Sequence, residues 1–231
     1  MSLATRIVRP ERLDALSASA PEAMASRRDL VCINALMGNA AVLAALANPH
    51  LTSPPRRILD LGAGDGAPAL ALARRMNRIW PRVEITLLDR LDLVTPERQQ
   101  AFSAVGWQAQ PVATDVFEWF GLNRQARFDV IVTTLFLHHF DIELPRLLAL
   151  AAAAAPVFAA AEPRRDRLSL AASRLVGAIG ANAVTRHDAP ASVRAGFAGA
   201  ELSALWPEPC WRFEERRAGP FTHAFAAWRA S

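Results

Sequence analysis

The chain has no lysine and no tyrosine, so all 26 of its basic side chains are arginines. Neither a lysine amine nor a tyrosine phenol is therefore on hand as a catalytic acid or base. There are only two cysteines, Cys32 and Cys210, and they lie far apart with no metal-ligand spacing. This points away from a metal site and fits a reduced, cytoplasmic protein. No apolar run reaches the ~18–20 residues of a membrane span. The Ala-rich stretch 149–161 is shorter and is broken by Pro156. Residues Met1–Arg12 lack the apolar core of a signal peptide. The arginines are scattered, many as pairs such as Arg74-Arg75, with no basic stripe carrying interleaved aromatics. With a net charge of only +4, nucleic acid is not the expected partner. What the chain does have is 231 residues, 52% of them hydrophobic. That is enough for one α/β domain with a modest accessory segment.

The most informative stretch runs from Arg57 to Ala67: Arg-Ile-Leu-Asp-Leu-Gly-Ala-Gly-Asp-Gly-Ala. An apolar strand leads into Asp60 and then into three alternating glycines, Gly62, Gly64 and Gly66. Pro68 follows at a first-turn helix position, where a missing N–H costs nothing. A strand, a Gly-rich turn and a helix N-terminus let backbone approach a nucleoside ligand closely. Gly62-x-Gly64-x-x-Ala67 also satisfies the dinucleotide pattern, so an NAD(P)-dependent oxidoreductase is the alternative reading. A pyrophosphate, however, would meet Asp60 and Asp65 at close range and be repelled. The same carboxylates suit a ligand carrying an ammonium and a sulfonium, as S-adenosylmethionine (SAM) does.

Around this turn, strand and helix alternate. Strands are expected at Arg57–Leu61, Val83–Leu88, Gln108–Ala113, Phe128–Thr133 and Val157–Ala161. Helices are expected at Pro68–Arg78, Pro96–Val105 with Thr95 as N-cap, Phe117–Phe120, and Ile142–Ala155 capped by Asp141. This succession argues for a parallel sheet with helices on both faces. Pro21 to Ala47 has helical apolar spacing, stopped by Asn48-Pro49, and Pro54-Pro55 is the hinge into the core. Residues 1–54 therefore read as an N-terminal helical segment and 55–231 as the main domain. Within that domain, 164–186 reads as a helical insert, Pro190 starts another helix, and Trp211–Arg229 closes as an antiparallel hairpin around a Gly-Pro turn.

Other acidic residues fall where a nucleoside ligand needs them. Asp89 ends an apolar strand, 23 residues after Gly66. That is near the spacing at which a carboxylate grips a ribose diol, although a surface strand-end acid is the plainer possibility. Arg90 and Leu91 follow it. Thr114-Asp115-Val116 comes after the third strand, where Asp115 can cap the short helix, contact a ligand, or do both.

The strand-D-x-G-x-G-x-G arrangement resembles motif I of class I SAM-dependent methyltransferases. The run Phe128–Phe140, ending Thr133-Thr134-Leu135-Phe136-Leu137-His138-His139-Phe140, resembles motif IV of the small-molecule members. The resemblance is specific over about residues 55–162. It implies a doubly wound, mostly parallel seven-stranded sheet with a C-terminal antiparallel hairpin and an N-terminal helical segment covering the cofactor and acceptor site. It implies SAM as cofactor, with S-adenosylhomocysteine (SAH) as product, and a cradle of Asp60, Gly62, Gly64, Asp65, Gly66, Asp89, Arg90, Leu91, Thr114, Asp115, Val116 and Thr133. Asp60 would orient the methionyl amine, Asp89 the ribose and Asp115 the adenine. His138 or His139 would take a proton from the acceptor, at most one of the two facing it. His187, in Thr185-Arg186-His187-Asp188, is a third candidate, and Glu162 is a lesser one. No metal is implied. The likeness is to stand-alone bacterial methyltransferases of secondary metabolism that act on quinol, polyketide or other phenolic intermediates. The expected partner is thus a small, partly hydrophobic acceptor, and the expected state a monomer or homodimer. A non-catalytic SAM-binding protein is a further alternative.

Overall fold

Arg57–Leu61 (β1) is a five-residue run in which only the first side chain is exposed, as expected of a strand covered on both faces. The computed structural model describes residues 3–207 and 210–229. Met1 and Ser2, the start of the stretch read for a signal peptide, lie outside the described residues. Before β1 come a short helix α1 (Arg12–Ala15), α2 (Pro21–Met37) and α3 (Asn39–Ala47). Gly38, at φ 68°, joins α2 to α3. α1 and α2 lie beside the carboxyl ends of the strands, whereas α3 is buried against α4 (Ala67–Met76) and the sheet.

The sheet continues with β2 (Glu84–Asp89), β3 (Gln108–Ala113), β4 (Val130–Thr134) and β5 (Val157–Pro163), then β6 (Trp211–Ala218) and β7 (Thr222–Arg229). Its order is β3-β2-β1-β4-β5-β7-β6. The first five strands are mutually parallel. β7 runs antiparallel to β5, and β6 antiparallel to β7. This is the seven-stranded class I methyltransferase arrangement that the motifs imply. Two apolar layers close it. On one face α3 and α4 pack with Trp80 and Trp107. On the other lie α6 (Val116–Leu122) and α7 (Leu144–Ala154), with Phe158, Phe197, Trp206 and Phe225. The strand order reverses between β1 and β4, and beyond the carboxyl ends of strands at such a switch point a ligand crevice opens.

Several local expectations are corrected. Asp141 does not cap α7. The helix starts at Leu144 behind Glu143, and the link to Asp141 is Leu144 N–H donating to its backbone carbonyl. Thr95 does cap α5 (Pro96–Ser103), accepting from Arg98 N–H. The 164–186 insert is α8 (Arg167–Arg174), capped by Asp166, a 3-10 turn Val176–Ile179, and the start of α9 (Ala183–Ala195). Pro190 starts no helix; it lies inside α9, whose packing against α1, α2 and α8 holds the helix through the missing hydrogen bond. The α9 helix also ends short of Trp206. It stops at Gly196, where a Cβ would lie 2.1 Å from the Pro163 carbonyl oxygen, and α10 (Glu201–Leu205) follows separately.

Candidate active site

The turn after β1 is built from backbone conformations that side chains resist. Gly62, Gly64 and Gly66 have φ of 69°, 57° and 75°. A Cβ on Gly62 would lie 2.2 Å from the Phe136 ring, whereas one on Gly64 would meet nothing within 4 Å. Gly62 N–H and Ala63 N–H both donate to the Leu88 carbonyl, which ties the turn to β2. Asp89, at the end of β2, accepts from Gly64 N–H at 2.9 Å and from Leu91 N–H at 3.0 Å, one bond to each carboxylate oxygen. Each of those oxygens keeps a lone pair for another donor.

These residues open onto a cavity of about 530 Å³. Of the cradle expected from the motifs, Gly62, Gly64, Asp65, Asp89, Arg90 and Leu91 line it, as do Thr114, Asp115 and Val116. Asp115 also accepts from Phe117 and Glu118 N–H, so it caps α6 as well. Three expected residues stand behind the wall. Thr133 is fully buried and donates its hydroxyl to the Leu61 carbonyl, leaving its neighbour Thr134 as the lining threonine. Gly66 sits under Leu87, beside the start of α4. Asp60 is 3% exposed, and its burial, reinforced by the nearby Asp89, pushes its carboxyl up to about 8.

Two of the acidic residues therefore act differently from the expectation drawn from the sequence. Asp65 accepts from Ala67 N–H and pairs with Arg98 at 2.8 Å, while Asp60 holds a proton at neutral pH. Those two residues do not supply the field that repels a diphosphate. The cavity nevertheless stays acidic, because the lining carboxylates of Glu11, Asp14, Asp89, Asp115 and Glu143 outnumber Arg9, Arg27, Arg90 and the His138 cation. The wall opposite the glycine turn comes from the N-terminal segment, including Glu11, Asp14, Arg27 and Asn34. Arg90 ties that segment to β2 through Asp14 at 2.6 Å.

The third wall is the turn after β4. Leu135 has φ 52°, a conformation costly for a side-chain-bearing residue. A single buried carboxylate holds the next three residues. Glu162, at the end of β5, accepts from Phe136 N–H and Leu137 N–H at 2.9 Å, and from His138 N–H at 3.3 Å. Its second oxygen lies 2.8 Å from His138 Nδ1. His138 Nε2 faces Glu11 at 3.6 Å. The rings of His138 and His139 lie 4.3 Å apart, and His139 Nδ1 is 3.7 Å from Asp14.

These neighbours drive the two imidazoles apart. Burial disfavours the charged form of His138, but Glu11 and Glu162 outweigh it and raise the imidazole to about 9. His139 goes the other way, lowered by burial and then by the adjacent His138 cation. Glu11 resists its own burial because the histidines and Ser192 bring it down to about 2. Glu162 is likewise lowered, against its burial, by His138 and its backbone donors. At neutral pH the pair therefore carries one positive charge, on His138, and the neutral ring is His139.

His187 does not join them. It lies on α9 outside the cavity lining, its side chain 46% exposed and its Nδ1 2.8 Å from Asp188. Asp188 reaches back instead to accept from Arg12 and Leu13 N–H, capping α1 from across the fold. Sequence reasoning missed Glu11, Asp14 and the depth of Glu162's involvement. Only Glu162 had a signal, an acid closing an otherwise apolar strand.

A family model described as a methyltransferase domain matches residues 32–170. The chain belongs to the methyltransferase domain family. This methyltransferase shares its fold with the plantazolicin methyltransferase BpumL in complex with SAH, at TM-score 0.65 and 13% identity over 92% of each chain. An O-methyltransferase family protein from Burkholderia thailandensis matches at TM-score 0.62 and 15% identity, over 96% of this chain and 63% of that one. Human N-acetylserotonin methyltransferase in complex with SAM matches at TM-score 0.53 and 15% identity, over 94% and 61%. No curated protein matches by sequence. The methyltransferase is thus a class I enzyme with SAM as cofactor, and its glycine turn fits that group. Gly64 leaves open space, and Asp89 presents unfilled lone pairs beside it. Among the described residues, no single helix is long and apolar enough to cross a membrane.

Proposed function

We propose that the methyltransferase modifies an oxygen of a small, partly hydrophobic acceptor such as a phenol, a quinol or a polyketide-like hydroxyl. The observation that carries this reading is the split between His138 and His139 on the cavity wall. A hydroxyl must lose its proton as it is methylated, and a neutral His139 on the cavity wall supports the reading that this imidazole accepts it. His138, held by Glu162 and facing Glu11, keeps the turn and the N-terminal segment in register.

Bound SAM supplies an electrophilic methyl carbon on a sulfonium. Gly64 would give the donor its space, Asp89 would accept from the ribose hydroxyls, and Asp115 with Val116 would meet the adenine. Asp60 stands behind the turn as the carboxyl that ionises when an ammonium comes near. The task left to the protein is alignment of acceptor and donor, which can contribute as much as roughly 7–11 kcal/mol to the barrier in favourable cases. Residues 8–34 cap the acceptor end, while α3 packs into the core: Val8, Pro10, Leu13, Leu30 and Val31 give that wall its apolar character.

The test is transfer of labelled methyl from SAM to a panel of phenols, quinols, carboxylic acids and amines. Labelling of hydroxyl acceptors that is lost in His139→Ala supports the reading. Labelling confined to amines, or none with any acceptor although SAM binds, contradicts it.

A further inference from the structure

The same wall holds an arrangement that proton transfer alone does not require. One donor atom from each of Glu11, His138 and His139 can be chosen so that all three lie within 4.8 Å of one another. Glu11 Oε1 and His138 Nε2 are 3.6 Å apart. Two ligands of a tetrahedral ion, each ~2.1 Å from it, are separated by about 3.4 Å, so this pair already stands at ligand spacing. His138 is also backed on its other nitrogen by a carboxylate, and His139 has an acidic neighbour in Asp14. Glu162 lies 2.8 Å from His138 Nδ1, and Asp14 lies 3.7 Å from His139 Nδ1. A carboxylate behind a ligating histidine fixes its tautomer, aims the opposite nitrogen and raises its basicity. Here that relation is made at His138 through Glu162.

We propose that Glu11, His138 and His139 bind one divalent transition-metal ion, with a coordination position left open toward the cavity. Two imidazoles and a carboxylate suit zinc, cobalt, nickel or copper rather than magnesium or calcium, which take oxygen ligands. The carboxylates of Glu11, Asp14 and Glu162 balance the ion's charge at a site buried on the Glu162 side and open on the Asp14 side. His139 is free to act as the base only in the metal-free chain; with the ion bound, no free imidazole remains at this wall. The metal-loaded chain offers an oxygen ligand in the cavity a Lewis acid in place of a base.

Cobalt(II) alone, added to the full chain without SAM or acceptor, tests this by visible absorption. The expected result is a d–d band that saturates at one equivalent and is abolished by zinc. In Glu11→Gln and in His139→Asn the affinity should fall at least ~tenfold, while His187→Ala keeps it. Matching thermal melts of the metal-free variants would show that the loss is not unfolding. No saturable band, unchanged affinity in Glu11→Gln, or a thiolate-to-cobalt charge-transfer band from Cys32 or Cys210 would overturn the proposal. Because neither SAM nor acceptor is present, failure here leaves the methyl-transfer reading standing, and failure of that reading leaves this one.

Discussion

His138 Nδ1 lies 2.8 Å from Glu162 Oε2, at a carboxylate with no solvent exposure that also receives three backbone N–H groups of the turn after β4. This one residue joins the end of β5 to the motif that carries both cavity histidines. Replacing Glu162 by Gln removes the charge that balances a buried imidazolium and puts an amide donor against backbone donors. Breaking such a buried pair costs about 3–5 kcal/mol. A urea-unfolding midpoint close to the parent's would show that Glu162 is not the clamp described.

Asp60 makes the fold pH-dependent in a calculable direction. Its carboxyl sits near 3.8 when unfolded and about 8 when folded, so the folded state binds the extra proton between those values. Stability from this group is complete at low pH, declines as pH rises from about 4 to about 8, and is flat beyond. Asp60→Asn should erase that decline and melt higher than the parent at pH 9. It should also bind SAM more weakly, since an amide cannot ionise beside the ligand's ammonium. A variant that melts lower than the parent at pH 9 would contradict the burial of an ionisable carboxyl here.

A second decline belongs to His138. Its imidazole rises from 6.5 to about 9 on folding. The stability it supplies is present below 6.5 and is lost as pH climbs through 9. In the Asp60→Asn background this is the slope that should persist between those values, read by thermal melts across that range.

Asp89 already holds Gly64 and Leu91 N–H groups. Asp89→Ala should weaken SAM binding by about tenfold or more, because ribose hydroxyls lose an acceptor. Calorimetry reads this directly, and equal affinity in the variant would remove Asp89 from the cradle.

Gly62 tolerates no side chain. Its φ of 69° and the 2.2 Å approach to Phe136 act together. Gly62→Ala should cost about 1–3 kcal/mol and disturb the β4 turn. Gly64→Ala meets only the backbone penalty and should cost less in stability. Equal melting temperatures for the two variants would contradict the contact.

Much of this was legible in the chain itself. β1 and β3 lie where alternation and turn residues put them, and Asp60 to Gly66 announced the turn because glycine there answers a local need. Thr95 was equally readable, since an N-cap is settled within a few residues. The rest depends on contacts between distant segments. Glu11 meets His138 across 127 positions, and Asp188 caps α1 across 176. No local pattern marks a carboxylate for a helix so far away. Pro190 reads as a helix start, yet tertiary packing carries α9 through it. The charge state of the histidines was illegible for the same reason: His138 and His139 are chemically identical and adjacent, and only their surroundings separate them.

The most direct measurement is therefore nitrogen-15 NMR of the labelled histidine side chains, assigned with His138→Asn and His139→Asn. In the metal-free chain at pH 7.5 the His138 ring should show both nitrogens protonated and titrate near 9, while the His139 ring should be neutral. A neutral His138 beside a protonated His139, or two neutral rings, would contradict the division of labour on which the proposed proton transfer rests.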